Sequence, residues 1–505
     1  FNASANMQYY EEDYQLESTD YTVADYITAR LLLGSTQWNK YDPTSFDETN
    51  HLLSFDFNGT DDAGITGDYT AGVEDQAGNC EGAIAGIWDT HPESGGTVPA
   101  GGPKGSAVII EHEVNLPRNY ITSYKTTIDS AGTDTDGLLK VGTTFGHRLG
   151  LVDGVGTLQL QRGDLPAGIY EEFFGPDGGT LEFTGTNDYD VLSEVTEVNN
   201  LTFSGTGERR LPNLSFEVYG NFTIDGTDTN LEVINEHDQT FTVDSNLVLN
   251  TGAFDAGDGT NARIVFGGSQ QQHITGDFTG TNALNNFTMD NPGGLALDNT
   301  VEASGADHSL SNGAIFTQAG QLLQLSNTNN NIIAFTSNSF VDGPLQKNMD
   351  ASGTFEFPVG HAGRLGEITI SNTGNSSTAY WEAEYHNYSA GSDGYDPTVY
   401  GSSLKQVYTD GYWRVKAPAS HEADVHIRWN ANSGVPSDPN DLDKLRVALW
   451  ENTDTWVEAN QSSADNVSGD QNNGTITSSG PHSFNEFGDG SYFAIGTEQI
   501  TNVFV

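Results

Sequence analysis

The chain has 505 residues, room for roughly two to four domains, and sets 70 acidic side chains against 19 basic ones for a formal charge of −51. A field of that sign repels nucleic acid and anionic lipid, and no apolar run approaches the ~18 residues of a membrane helix, so neither nucleic-acid binding nor membrane insertion is expected. Cys80 is the single cysteine, which excludes an intrachain disulfide, while 25 Phe, 20 Tyr and 7 Trp supply the core residues that disordered acidic chains lack. The charge reads either as a surface adapted to salty water or as calcium binding.

Residues 1–85 form a distinct N-terminal segment. Tyr9-Tyr10-Glu11-Glu12-Asp13-Tyr14 is acidic and aromatic, a poor core strand on its own. Val23, Tyr26, Ile27, Arg30 and Leu31 then fall at i, i+3, i+4, i+7 and i+8, Thr22 with Asp25 resembles a capping box, and Gly34 supplies a stop; this predicts a helix. Leu53, Phe55 and Phe57 alternate with Ser54 and Asp56, which predicts a half-buried strand ending at Asn58-Gly59.

Residues 86–335 show short strands separated by Asn, Asp and Gly turns. Val108, Ile110, His112 and Val114 share one strand face, Leu158 and Leu160 another, and Phe222/Ile224, Leu231/Val233, Phe241/Val243 and Leu247/Leu249 follow. Two stretches 86 residues apart nearly repeat: Asn199-Asn200-Leu201-Thr202-Phe203 and Asn285-Asn286-Phe287-Thr288-Met289, each preceded by a matching strand that ends near Phe183 or Phe266. Self-similarity of this kind predicts a β-solenoid, with Phe183 and Phe266 at equivalent inward positions and Asn200 and Asn286 at equivalent turns. A meandering antiparallel sandwich is the competing reading.

Residues 340–497 carry longer strands and Trp381, Trp413, Trp429, Trp450 and Trp456, five of the seven tryptophans. Val425, Ile427 and Trp429 alternate with Asp424, His426 and Arg428, and eight strands of this kind predict a β-sandwich with several buried tryptophans. Residues 498–505 are a tail. The fold expected is therefore all-β: a distinct N-terminal segment, a central parallel β-helix-like solenoid and a C-terminal β-sandwich.

The order Trp88, Pro99, Ala107–Val114, Gly156–Leu160, Asp164–Gly168 and Gly179–Phe183, then the two Asn-Asn repeats, Gly343-Pro344-Leu345, Phe357–Gly360, Tyr412–Val415 and Phe493–Gly496, resembles the modular surface proteins secreted by Bacteroidetes. The resemblance covers about 85–497. It implies a non-catalytic, adhesin-like protein exported by the type IX route, and it supplies no catalytic residues. A C-terminal sorting domain would follow Gly496, so such a domain has been cleaved or the protein leaves by another route. No basic-then-apolar leader begins at Phe1, so export implies a leader already removed.

The chemistry on offer is sparse. Asp438, Asn440, Asp441 and Asp443 place oxygen ligands near alternate positions, and Asp438, Asn440 and Asp443 are the candidate calcium ligands, against a plain acidic turn. Asp129, Asp134 and Asp136 are a weaker candidate. His421-Glu422-Ala423-Asp424-Val425-His426 lacks zinc-protease spacing, puts its histidines on opposite strand faces, and reads as solvent-facing polarity. Arg209-Arg210 follows a glycine turn and reads as solvent-facing too. The function expected is a non-catalytic extracellular structural protein, a self-assembling filament subunit whose N-terminal segment docks on a neighbouring copy. The alternative is a polysaccharide-binding or polysaccharide-cleaving solenoid, binding surface glycans through exposed Trp413 or Trp456.

Overall fold

A computed structural model describes the backbone of six strands between Ala3 and Val73, and residues 107–499 apart from short stretches, chiefly 130–136, 192–194, 330–332, 374–376, 460–465 and 485–489. It is 54% strand and 5% helix, an all-β protein, with a β-solenoid of about 11 turns over residues 107–360. The chain divides into two compact units, one of Phe1–Leu160, Leu165–Phe173 and Asp177–Gly179, the other essentially Thr180–Val505.

In the first unit, strand Leu52–Phe57 pairs antiparallel with Ala3–Gln8 and Ser45–Asp47. Tyr26–Leu31 is also a strand, between Trp38–Tyr41 and Asp68–Val73, where the sequence pattern predicted a helix. Ile27, Ala29 and Leu31 fit a period of two as well as Val23, Ile27 and Leu31 fit a helical stripe. With Thr22, Val23, Ile27 and Thr28 β-branched, pairing decides for the strand. The Tyr9–Tyr14 run lies outside the described residues. From Ala107 onward the unit builds solenoid coils with parallel walls. One wall runs through Ala107–Ile110, Lys125–Ile128, Arg148–Asp153 and Ala167–Ile169; the other runs through Glu113–Asn115, Leu138–Gly142 and Thr157–Leu160.

In the second unit the strands around Phe183 and Phe203 run parallel, Leu181 opposite Leu201 and Phe183 opposite Phe203, which excludes the antiparallel meander. One wall continues Leu201, Phe222, Leu247, Ile274 in register, so successive coils take 21, 25 and 27 residues. The facing wall runs Val198, Val218, Val243, Phe266, Met289, Leu310. Alternation puts one apolar side chain in two inside, and Phe183, Phe203, Phe222, Phe241 and Phe254 are all fully buried. Phe183 and Phe203 stack at 5.7 Å between ring centroids and Phe222 and Phe241 at 5.4 Å, with Phe203 and Phe222 tilted at 5.6 Å. Each buried phenyl contributes about 1.5–3 kcal/mol.

The two Asn-Asn repeats are not at equivalent places. Phe183 and Asn200 stand on the first wall, Phe266 and Asn286 on the facing one, because coils of unequal length carry a spacing of 86 residues onto a different wall. Both asparagines nonetheless do the same work. Asn200 Oδ1 accepts from the Asn221 N–H and Asn286 Oδ1 from the Asp307 N–H, both at 2.9 Å, each on the following coil. Asn221 repeats this with Asn246, and Asn246 with the His273 N–H, forming a ladder across the coils.

The parallel ladder runs on through Val341–Asp342 and Val359–His361, past the sequence boundary near 335. A third wall, Val301–Ala303, Leu323–Leu325 and Leu345–Met349, continues by antiparallel pairing of Leu345–Met349 with Ala379–His386. No linker therefore parts solenoid from sandwich: one sheet serves both. That sheet adds Tyr412–Lys416, Ser491–Glu498, Leu445–Glu451 and Thr455–Glu458. The other sheet of the sandwich holds Thr354–Phe357, Ile368–Asn372, Glu422–Asn430, Asn473–Thr477 and Asn466–Gly469. All five tryptophans of this region are buried.

Candidate functional site

The densest group of perturbed ionisable side chains lies on the face of the shared sheet turned away from the sandwich interior. Alternation on Ala379–His386 sends Trp381, Ala383 and Tyr385 one way and Glu382, Glu384 and His386 the other. Across the register, Lys416, Arg414 and Tyr412 stand opposite those last three. Arg414 bridges Glu382 at 3.1 Å and Glu384 at 2.5 Å, Lys416 reaches Glu382 at 3.1 Å, and Gln346 Nε2 donates to Glu382 at 2.9 Å. Burial raises the Glu384 pKa, and Arg414 opposes that rise.

At the end of this row the chain leaves the sheet and returns over it. Tyr388 and Tyr412 both donate to Asp393 Oδ2, Tyr388 at 2.9 Å. The His386 ring stacks on Tyr412 at 4.5 Å, and its Nδ1 lies 3.1 Å from the Tyr388 hydroxyl. Because the single Tyr388 proton goes to the carboxylate, His386 Nδ1–H is the donor in that contact. Burial lowers the His386 pKa to about 4, so the ring is neutral at pH 7, and burial raises the phenols of Tyr388 and Tyr412. Beneath the excursion Trp450, Trp456, Tyr412 and Tyr492 form a second apolar cluster, with Tyr395 stacked on Tyr492 at 4.0 Å. The network thus pins a covering segment.

A second group lies on the outer wall of the solenoid. Glu197 and Glu217 are register partners, and Asp244, whose N–H donates to Val218 O at 2.9 Å, brings a third carboxylate near Glu217 from the next coil. Burial, then the neighbouring carboxylates, raises the Glu217 pKa; burial raises that of Asp244. Tyr219 donates to Glu197 at 2.9 Å, which pushes its own pKa up to about 12. Asp244 follows Glu217 by 27 residues, within the range of one coil, so knowledge of the coil length would have found this pair.

Comparisons with models of known protein families, with curated proteins and with solved structures find no match for this chain.

The residues singled out in the sequence sit as follows. Asp438 caps the 3-10 turn Pro439–Lys444, its Oδ1 accepting from the Asn440 N–H at 2.9 Å and from Asn440 Nδ2 at 2.8 Å. The Asp443 carbonyl accepts from Arg446, and Asp441 is held by Lys405 and Lys444. Among the described residues no three His, Cys, Asp or Glu side chains are grouped to hold a metal. Asp134 and Asp136 lie outside the described residues.

Three expectations are corrected. Trp413 and Trp456 are 4% and 0% exposed, with indole N–H groups donating to Gly366 O and Tyr395 O, so neither offers a ring to a glycan. His421 packs edge-on against Trp381 and His426 sits half-buried between Ser371 and Thr477, so the two histidines are packed while Glu422 between them is exposed. Arg209 is fully buried rather than exposed. Its guanidinium donates to Gly185 O at 3.0 Å, Asn187 O at 2.7 Å and Thr206 O at 2.9 Å, and lies 4.3 Å from the centre of the Tyr189 ring. Only Arg210 meets solvent, paired with Asp190, Glu208 and Glu236.

Proposed function

We propose that this chain is a non-catalytic secreted or cell-surface structural protein of the adhesin kind, whose copies associate into an extracellular filament. One observation carries the reading. The ionisable groups gathered at the candidate site are spent on the fold's own pairings: Glu382, Glu384 and Arg414 on each other, and Asp393 on Tyr388 and Tyr412. A long scaffold with a filled interior and cross-coil polar ladders suits load-bearing and display. With −51 charges on each copy, association needs screening by salt or calcium, for which Asp438, Asn440 and Asp443 are the proposed ligands. The N-terminal segment is the proposed docking arm. Sedimentation and electron microscopy of the whole chain, across salt and calcium, test this against a chain lacking residues 1–20. Assemblies that lengthen with salt and vanish on deletion are expected; monomers under every condition would overturn the assembly.

A second reading, a polysaccharide-active solenoid, would draw its two carboxylates, about 5–9.5 Å apart, from the acidic group on an outer wall that holds Glu197, Glu217 and Asp244. Glycan turnover that Glu217→Gln removes would belong to that reading.

A further inference from the structure

Tyr120 departs from the rest of the described chain in its backbone. Four non-glycine residues there adopt positive φ: Tyr120 (61°), Asp238 (52°), Ala362 (48°) and Asp454 (54°). Three have local reasons. Asp238 accepts from the Asp258 and Gly259 N–H groups, Ala362 turns the hairpin between Val359–His361 and Arg364–Leu365, and Asp454 closes a turn back to Glu451. A bulky aromatic residue in this region is strained, and strain of this kind clusters at functional sites.

The side chain gives that strain a use. The Tyr120 ring lies against Gly146, where an added Cβ would come within 2.4 Å of it, and meets Phe145 edge to face at 5.4 Å and 77°. Both rings are exposed, Tyr120 by 56% and Phe145 by 44%, at one corner of the first unit's solenoid. The corner is held from beneath. The Tyr120 N–H donates to Phe145 O at 2.9 Å, the Phe145 N–H to Asn119 Oδ1 at 3.1 Å, and the Ile121 N–H to buried His147 Nδ1 at 3.2 Å. The result is a rigid aromatic corner, floor and wall at nearly right angles, with its backbone hydrogen bonds already made.

We infer that Tyr120 and Phe145 form a stacking site for a neutral saccharide. Pyranose rings present flat C–H faces to aromatic rings, and a preformed corner binds one without ordering flexible side chains. The net charge of −51 opposes polyanionic glycans, nucleic acid and a second copy at low salt, and exposed Arg118 and Arg148 near the corner make the polyanions a required control. The inference deepens the adhesin reading by naming what is adhered to, and replaces the buried Trp413 and Trp456 as the aromatic contact.

Native affinity electrophoresis of the whole protein through gels containing soluble β-glucan, xylan, galactomannan or starch, with alginate and pectate as polyanions, tests it. Retardation by at least one neutral polysaccharide is expected, weakened at least tenfold in Tyr120→Gly and in Phe145→Ala. Tyr120→Gly relieves the positive φ, so amide exchange across 121–128 and 147–153 should stay as slow as in the parent, which separates loss of binding from loss of fold. No retardation by any neutral polysaccharide, or binding unchanged in both variants, would overturn the inference. Self-association by sedimentation that Tyr120→Gly abolishes would overturn it too, by making the corner a contact between copies. Neither result depends on whether the protein cleaves glycans, which release of reducing ends reads separately.

Discussion

Replacing Arg209 with Met keeps most of the buried volume and removes the guanidinium. Three carbonyls, of Gly185, Asn187 and Thr206, lose donors at 2.7–3.0 Å, and the Tyr189 ring loses its cation. Each buried acceptor left without a partner costs about 1–3 kcal/mol. Against this, Met escapes the cost of burying a charge, which already lowers the Arg209 pKa. The Gly185 carbonyl keeps the Thr206 N–H at 2.8 Å, so two carbonyls are orphaned, and with the charge-burial cost relieved the balance is about 2–4 kcal/mol. A long solenoid does not unfold in two states, so amide hydrogen exchange is the better assay. Protection across 184–190 and 204–210 should fall by roughly thirty- to several-hundred-fold, at 1.4 kcal/mol per decade. Arg210→Met, which breaks only surface pairs, should cost about 1 kcal/mol or less. Equal exchange in the two variants would refute the claim that the buried guanidinium holds this corner.

Asn221→Ala removes an oxygen that accepts from the Asn246 N–H, Asn246 Nδ2 and Ser245 Oγ, and should destabilise the neighbouring coils by about 1–3 kcal/mol, read as faster exchange over 244–248. His308 is buried and stacked on Phe287 at 4.7 Å, and burial lowers its pKa from 6.5 to about 4. Between those values the unfolded chain binds a proton that the folded one refuses, so stability falls as pH drops from 6.5 and the loss is complete below 4. The loss from this group is roughly 3 kcal/mol. His308→Phe should flatten that part of a denaturation-versus-pH curve, and an unchanged slope would remove His308 as its source. Asp393→Asn keeps an acceptor for only neutral hydrogen bonds, so it should loosen the segment over Tyr412 and raise proteolysis within 387–403 without unfolding the sheets.

What the sequence made legible follows from periodicity. Leu158/Leu160, Phe222/Ile224 and Val425/Ile427/Trp429 point inward as alternation requires, and their short strands with Asn and Gly turns indicated the solenoid. Where two periods fit the same residues, as at Tyr26–Leu31, the pattern could not choose, because pairing partners as far away as Asp68–Val73 decide it. Arg209 was opaque for a different reason. A charge beside a glycine turn looks solvent-facing until the carbonyls of the preceding coil are seen converging on it. The Glu217–Asp244 pair and the Tyr120–Phe145 corner join residues 27 and 25 apart, spacings that acquire meaning only once the coil length is known.

We propose that this scaffold performs no chemistry. The most direct test is incubation of the whole protein with a panel of neutral and acidic polysaccharides, with and without calcium, following new reducing ends and the absorbance of unsaturated sugars. Neither signal is expected above a blank without protein. Reproducible turnover that Glu217→Gln or Asp244→Asn abolishes would contradict the proposal.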